Sequence, residues 1–470
     1  MAALDSMQEM PGDDRTGPDL PGVLVYRASR LEALLTPLEM LLRDFPPQNV
    51  LTPQTIIAAH PGMKHWLVGA LAQRRGARGI VANTRVLLVS DWLDELAQSL
   101  LGEGAIALSP YRREHLRWRI HQALGKIDHD EISGYLQSDH VHSGDAARRR
   151  LQLSDRLARL YTQYMVYRPD WLQAWQQGRA AGPASFQGPL WRLLRNQIGV
   201  PHRAERLSEL VAQLRIQQSA TITEPLHVFG LSHLAPVELH VLRAIAHQRP
   251  VALYVPDPCR EYWGGLRGER AQLRALAQQP VDGDLQQALL QLDHPLLANW
   301  GRMGQHFVLA LNEGEDAVRV DTRHWEDLQT GDAARPLLAQ VQESVRRLHD
   351  ATLLTPASML HAAAMADRSL RIHACHTPLR ELEVLRDALL MELKQRPDLQ
   401  PGDIVVMAPD IQRYLALLPS VFGASRAPSW QSTSGAPGNR DTVLPYAIAD
   451  AAVACTHPVF VAFQALLAVP

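Results

Sequence analysis

Hydrolysis of a nucleoside triphosphate requires a recognisable residue set. Backbone N–H groups of a glycine-rich loop surround the phosphates, a lysine reaches them, a hydroxyl holds Mg2+, and an acid stands at a strand end. The 470-residue sequence contains no GxxxxGKS or GxxxxGKT. Lys126 follows Gly125 but precedes Ile127, so the hydroxyl is missing. The first apolar run, from Leu24, passes through Ala28-Ser29-Arg30 into a helical pattern with no glycine and no lysine at the turn. The run Leu226–Phe229 ends in Gly230-Leu231-Ser232, where an ATPase would carry Asp-Glu. The residues favour a scaffold without catalysis, and no catalytic residue is assigned.

Metal-dependent nuclease chemistry needs carboxylates, usually with a lysine, converging on the ion. The best cluster is Asp128-His129-Asp130-Glu131, followed by Asp139-His140-Val141-His142 and Asp145. It matches no ligand spacing and reads as solvated loop between helices, so no metal site is assigned.

Grip on a nucleic-acid strand needs cations for phosphates and aromatic faces for bases. The block Tyr161–Trp171 supplies Tyr161, Tyr164, Tyr167, Arg168 and Trp171. Tyr161, Tyr164 and Arg168 fall at i, i+3 and i+7, which predicts one helix face. Arg203, after Pro201-His202, opens another helix. The alternative is that the tyrosines pack a helical core and Arg168 pairs with Asp170, since an aromatic stripe at helical spacing is usually core.

These residues need elements to hold them. The chain is long enough for two or three domains. Its formal net charge of −2 carries no overall basic signature, so any nucleic-acid contact must be local. Cys259, Cys375 and Cys455 are far apart and form no CxxC pair, which reads as reduced cytosolic thiols and a cytoplasmic protein. No apolar run reaches the roughly 18 residues of a membrane span. Residues 1–22, with Asp5, Glu9, Asp13 and Asp14 among three prolines, read as a disordered extension and not a signal peptide.

From Leu24 the pattern is α/β. Leu31, Leu34, Leu35, Leu38, Leu41 and Leu42 predict a helix, with Pro37 marking a kink or split. Thr55–Ala59 predicts a buried parallel strand, Met63–Leu67 opens a helix, Ile80–Ala82 is another strand candidate, and Ser90 would cap a helix over Asp91–Leu101. Residues 23–108 form the first part of an α/β domain. Residues 109–217 read as helix throughout, an all-α insertion. Strands return at Leu226–Gly230 and Val251–Val255, and residues 265–365 read as mostly helical, so 218–365 complete the domain. A second α/β pattern occupies 366–470. It has strands at Leu370–Ala374, Asp403–Met407 and Ala447–Ala449, helices at Leu379–Lys394, Asp410–Phe422 and Pro458–Leu467, and a loop at Ala424–Asp441. Too few strands are present to close that sheet, which predicts a truncated second domain within a longer protein.

Many stretches, in order, resemble the RecC family, the gamma subunit of exodeoxyribonuclease V. They include Val25-Tyr26 with Ser29-Arg30-Leu31, Gly62-Met63 with Trp66-Leu67, Gln163–Leu172, Pro189-Leu190-Trp191, Asp257–Gly264 and His294–Gly301. His373–Pro378 with Arg380–Leu385, Asp403–Met407 and Leu444–Ile448 complete the series. The likeness covers nearly everything after Gly22. It implies an inactivated superfamily 1 helicase-like fold with a 1B-like helical insertion and the start of a 2A-like domain. The implied function is a non-motor DNA-channel subunit. It would guide unwound single strands and recognise Chi-type sequence in double-strand break repair. The implied partners are a RecB-like motor/nuclease subunit and a RecD-like motor subunit, with double- and single-stranded DNA. ATP and Mg2+ would be used by those subunits and no cofactor by this chain.

The resemblance also assigns residues. Arg168 and Arg203 match arginines of the family's Chi-reading surface, and Leu160 its leucine. Ala59, Pro61 and His65 stand where the best-known members carry amide or hydroxyl side chains, and Arg159 and Thr162 where those carry acids. Base-edge reading depends on donors and acceptors, so the recognised sequence is expected to differ from the best-known Chi, or none is read. The rival functions are an active ATP-dependent helicase and a scaffold without DNA contact. Trp263 and Trp300, each before a glycine, read as a loop packed on the core or as a partner surface, with core packing favoured, and Arg380, Glu381 and Glu383 are expected to form structural or inter-subunit salt bridges.

Overall fold

The computed structural model describes residues 22–47, 49, 51–74, 79–102, 110–127, 129–136, 143–182, 185–216, 224–266, 294–312, 320–324, 336–348, 367–423, 444–448 and 458–467. The predicted extension at 1–22 apart from Gly22, the whole 424–441 loop, Asp128, Asp139–His142 and Ala449 lie outside them. The chain divides into two units, 1–362 and 363–470.

The first unit is built on a parallel sheet. Its strands are β1 (Val23–Ala28), β2 (Gln54–Ala58), β3 (Thr84–Leu88), β4 (Leu226–Phe229), β5 (Val251–Pro256) and β6 (Val320–His324), in the order β3-β2-β4-β5-β1-β6. Every pairing is parallel, with Val25 opposite Leu253 and Ile57 opposite Val228. Successive side chains of a strand point to opposite faces, and both faces are covered. Val23, Val25, Ile57, Val228, Val251, Leu253 and Val255 form one core with α3 (Val89–Leu101), α9 (Arg203–Ile216) and α10 (Pro236–Ala246). Tyr26, Ala28, Ile56, Ala58, Phe229, Ala252 and Tyr254 form the other with α1 (Leu31–Asp44) and α2 (Pro61–Arg74). Burial on both sides explains the continuous apolar run Val-Ala-Leu-Tyr-Val of β5.

Several local expectations need correction. One helix, α1, runs through Pro37, which is buried on the apolar face, so the chain does not split there. Ile80–Ala82 is not a strand; the strand is Thr84–Leu88, which runs directly into α3 at Val89. Ser90 therefore lies inside α3 and caps nothing, and Leu88 is the N-cap. Residues 265–365, expected to be mostly helical, contribute β6 beside β1 as well as α11 (Pro295–Trp300), α12 (Arg302–Asn312) and α13 (Leu337–Arg347).

Between β3 and β4 lies a helical block: α4 (Arg113–Ala123), a 3-10 turn (Leu124–Lys126), α5 (Asp130–Leu136), α6 (Ser143–Tyr167), α7 (Pro169–Gln176) and α8 (Gln187–Ile198). It has its own aromatic-rich core, including Tyr111, Leu116, Ile120, Leu157, Tyr161, Leu172, Trp175 and Trp191. The following helix, α9, sends Leu207, Leu210 and Leu214 into the sheet core. Asp130 and Glu131, expected in a loop, open α5, where acids favour the helix dipole. Among the described residues no group of three or more His, Cys, Asp or Glu is placed to hold a metal. Nor is any helix there long and apolar enough to cross a membrane.

In the second unit α14 (Pro378–Gln395) and the short α15 (Gln412–Leu415) and α16 (Leu418–Phe422) pack around Leu382, Phe422 and Leu444, and α17 (Pro458–Leu467) follows with Val459, Phe460, Phe463 and Leu466 exposed. The expected helix Asp410–Phe422 is thus two short ones. Among its described residues this unit contains no strand, so the expected strands at Leu370–Ala374, Asp403–Met407 and Ala447-Ile448 are corrected. A strand exists only as one of a hydrogen-bonded pair. Ile372, Val405 and Met407 remain 91%, 77% and 89% exposed here. Arg380 pairs with Glu383 at 3.0 Å, and Glu381 accepts the Tyr414 hydroxyl at 2.8 Å.

Candidate nucleic-acid interface

Parallel strands bring all their C-terminal ends to one rim. β1 leaves it through Ser29-Arg30 alone before α1 begins, with Arg30 as an N-cap that makes no side-chain cap bond and Glu32 in the first helical turn. Beside it, Asp257 follows β5 and gathers three hydrogen-bond donors. Its carboxylate accepts Arg27 Nε at 2.6 Å, and also Trp263 Nε1 and the Cys259 N–H at 3.0 Å each. A second guanidinium nitrogen of Arg27 completes the ion pair, in which the Asp257 side chain is 2% exposed and that of Arg27 11%. The Asp257 N–H donates to the Ala28 carbonyl at 2.8 Å, closing the rim between β1 and β5. The sequence reading missed this hub; an acid directly after the buried strand β5 was the available signal. Trp263 is buried as expected, packed over Gly301 and Gly304, where a Cβ would come within 2.8 Å of its ring. Trp300 is 83% exposed, which corrects its expected packing.

On α6, Leu157, Ala158, Tyr161 and Met165 recur at helical spacing and turn into the block's core. Tyr161 is fully buried; its ring lies 5.2 Å from Trp191 and its hydroxyl donates to the Gln187 carbonyl at 2.7 Å. Burial pushes its phenol well above the usual range. Tyr164 is partly buried against Trp171 and Trp175, and its hydroxyl donates to Gln187 Oε1 at 3.0 Å. Tyr161 is therefore a core residue, and its expected role as a surface contact is corrected.

Arg168 does not continue the helix face of Tyr161 and Tyr164. The residue before a proline is driven out of the helical region; with Pro169 next, α6 stops at Tyr167 and Arg168 becomes the N-cap of α7 at φ −137° and ψ 51°. Its guanidinium donates to both Asp170 oxygens, at 2.9 and 2.6 Å, and stacks 3.8 Å from the centre of the Trp171 ring. The hydrogen bond from Arg168 holds the Asp170 carboxyl below its ordinary range. The pair is open to solvent, Arg168 at 43%.

The other assigned residues occupy three places. On α6, Arg159 is exposed, Leu160 packs partly on the helical core, and Thr162 spends its hydroxyl proton on the Ala158 carbonyl at 2.8 Å. Arg203 opens α9 and donates to Glu238 of α10 at 3.3 Å. It is placed by His202, whose ring is buried against Trp191 and Tyr111 and whose pKa burial drives down to about 4. At the rim after β2, Ala59 packs partly on the sheet core and Pro61 opens α2, exposed. His65 is exposed too and donates from Nδ1 to the Pro61 carbonyl at 2.9 Å. The structure groups Arg159, Leu160, Thr162 and Tyr164 on one helix with Arg168 just beyond its end. Arg203 and the β2–α2 corner are held by the sheet layers.

Residues 23–348 match the family model described as RecC, N-terminal domain. Among curated proteins the chain is similar to RecBCD enzyme subunit RecC of Escherichia coli strain K12, at 30% identity over 95% of this chain and 41% of that protein. The subunit of the same name from Haemophilus influenzae is 28% identical over 85% of this chain and 39% of the relative. That from Mycobacterium tuberculosis is 30% identical over 85% and 35%. The chain thus spans about two fifths of the length of these relatives.

Proposed function

The chain belongs to the RecC family, and from that premise we propose that it acts as a non-motor DNA-channel subunit of a RecBCD-type helicase–nuclease. In this reading it guides unwound single strands and recognises a Chi-type sequence during recombinational repair. A RecB-like motor/nuclease subunit and a RecD-like motor subunit supply the fuel chemistry with ATP and Mg2+. The fold is read as an inactivated superfamily 1 helicase core, with 23–108 and 218–365 as domain 1A, 109–217 as the 1B-like insertion and 366–470 as the start of 2A.

The observation that carries the non-motor reading is the rim at β1. A triphosphate needs a wide loop of free N–H donors and a lysine above it. Here the turn is two residues long, Glu32 sets a negative charge at the helix N-terminus, and Arg27 is committed to Asp257. These residues do not fit a nucleotide phosphate.

Arg168 and Arg203 are the phosphate- or base-contacting cations of this reading. Both guanidiniums stay partly open, and exposed ion pairs contribute little to stability, so a phosphate can replace the carboxylate at little cost. Ala59 and Pro61 offer no side-chain donor or acceptor, Arg159 only donors, and Thr162 only a lone pair. The recognised sequence therefore differs from one read by amides and acids.

The test is DNA-dependent ATP hydrolysis and unwinding by the full-length protein alone and with its two partner subunits. No turnover alone and turnover in the complex is expected; turnover by the isolated protein would replace this reading with an active helicase. Arg168→Glu with Arg203→Glu is expected to impair DNA processing by the complex, and unchanged processing would leave a scaffold. Restoring amide and acidic side chains at Ala59, Arg159 and Thr162 should shift the sequence at which cutting changes.

A further inference from the structure

Helices α4 and α6 pack antiparallel. Arg113 at the start of α4 donates to both oxygens of Asp155 on α6, at 2.6 and 3.2 Å, and Arg150 donates twice to the His121 carbonyl near the end of α4, at 2.9 and 2.6 Å. Leu116, Ile120 and Ala123 are buried and fix the rotation of α4. That rotation turns Trp118 outward, where its side chain is 52% exposed. The Arg117 guanidinium lies 4.9 Å from the centre of the Trp118 ring and the His121 ring meets it edge-on at 6.1 Å.

Arg117 is poorly satisfied. Its Nε is shielded from solvent and has no hydrogen-bond partner among the described residues. Its nearest carboxylate, Asp155, stands 3.8 Å away and is already taken by Arg113. The hydrogen bond from Arg113 holds the Asp155 carboxyl below its ordinary range. The local charge is one-sided: α4 carries three arginines against Glu114, and α6 five against Asp145 and Asp155, in a chain whose total is −2. The exposed Arg159 also acts on Asp155, so the face continues into the candidate interface already described.

We propose that the α4–α6 face is a binding site for an unpaired nucleotide, with the base stacked on Trp118 and the adjoining phosphate held by Arg117. The ligand class is single-stranded nucleic acid, and the proposal rests on the reading that this chain handles single strands. An open indole with an under-satisfied guanidinium at its edge presents both things a nucleotide offers partners for, a π-face and an anion. An acidic peptide would use the cations and leave the ring idle. An apolar partner would need a groove, whereas the helix positions beside Trp118 are Glu114, His115, His121 and Gln122.

The experiment uses the full-length protein and a labelled oligothymidylate of about 20 nucleotides, longer than one stacking site. Anisotropy is read across a salt series, and a second oligonucleotide carrying 5-iododeoxyuridine is photocrosslinked and mapped by peptide mass. Trp118→Ala should weaken binding by about 5- to 100-fold. Arg117→Gln should make the slope of log affinity on log salt shallower by about 0.7, one phosphate contact to a single strand. The crosslink should fall on the Arg117–His121 peptide. Trp118 is largely exposed, so circular dichroism should be unchanged, and the crosslink on unmodified protein needs no variant. Binding by the unmodified protein with both variants equal to it and the crosslink elsewhere overturns the site alone. Variants that bind DNA normally but lose association with the motor subunits also overturn it, making the face a protein interface. Failure of the unmodified protein to bind any oligonucleotide overturns the single-strand reading itself.

Discussion

Replacing Asp257 by alanine should destabilise the first unit severely without creating or removing any catalytic activity. The carboxylate accepts from Arg27 Nε at 2.6 Å and from Trp263 Nε1 and Cys259 N–H at 3.0 Å, with almost no exposure. Removing one partner of a buried ion pair costs roughly 3–5 kcal/mol, because the other charge stays desolvated and uncompensated. The orphaned indole and backbone N–H groups each add up to about 1 kcal/mol where water cannot reach them. A loss near 4 kcal/mol is a large part of a typical folding free energy of about 5–15 kcal/mol. At a urea slope of about 3 kcal/mol/M it lowers the midpoint by about 1.3 M. The assay is urea unfolding of the full chain followed by tryptophan fluorescence, with Trp263 as a local probe. Arg27→Leu combined with Asp257→Leu should recover more than half of the loss, since an apolar pair leaves no buried charge. A single variant losing less than about 1 kcal/mol, or a double variant as unstable as the single, would refute the argument that this pair is a desolvated clamp.

Three further outcomes follow from the same geometry. Tyr161→Phe should cost about 1–2 kcal/mol by orphaning the Gln187 carbonyl and leave oligonucleotide affinity unchanged, because the ring is fully buried; an affinity loss at unchanged stability would return Tyr161 to the interface. Gly230→Ala should cost about 1–2 kcal/mol, since Gly230 sits at φ +75° with Met63 Cε 2.8 Å from a built Cβ, and thermal unfolding checks it. Burial lowers the pKa of His227 to about 3 and that of His202 to about 4, so the unfolded chain takes up these protons first. Stability is whole above about pH 6.5 and falls as pH drops toward 4, by about 1 kcal/mol for each histidine at pH 5.5. Urea midpoints that hold flat between pH 7.5 and 5.5 would contradict it.

The parts of this fold that burial dictates were legible. β1, β2, β4 and β5 are apolar runs because both faces are covered, and α1 follows from the leucine spacing. The parts held by backbone pairing were not. β6, Val-Asp-Thr-Arg-His, has no apolar alternation and exists by its ladder to β1. β3 has one fully buried side chain, Val86, and passes into α3 with no capping residue to mark the change. In the candidate site the order of Arg168 and Pro169 already held the answer. The rule for residues before proline outranks helical spacing, and it moved the guanidinium from the face of Tyr161 to the ring of Trp171. Trp263 and Trp300 look alike in sequence, each before a glycine. What separates them is the pair Gly301 and Gly304, which leaves room for one indole ring.

Burial also decides which arginines are available to a ligand. Arg27 serves Asp257, Arg150 the His121 carbonyl and Arg243 the Ala310 carbonyl, all in shielded places where the existing bond cannot be surrendered without leaving a buried charge. Arg168 and Arg203 hold carboxylates in partly open pairs, and Arg117 holds almost nothing. Exchange of such a carboxylate for a phosphate conserves charge and nearly conserves solvation, so it proceeds with little change in the fold. The rim where an ATPase would bind phosphate belongs to the first class together with Arg150 of α6, whereas Arg117 of α4, Arg168 at the start of α7 and Arg203 of α9 belong to the second. Among these arginines, exchange with an external anion is therefore open to Arg117, Arg168 and Arg203 and closed at the β1–β5 rim, where Arg27 and the Asp257 N–H are already bonded.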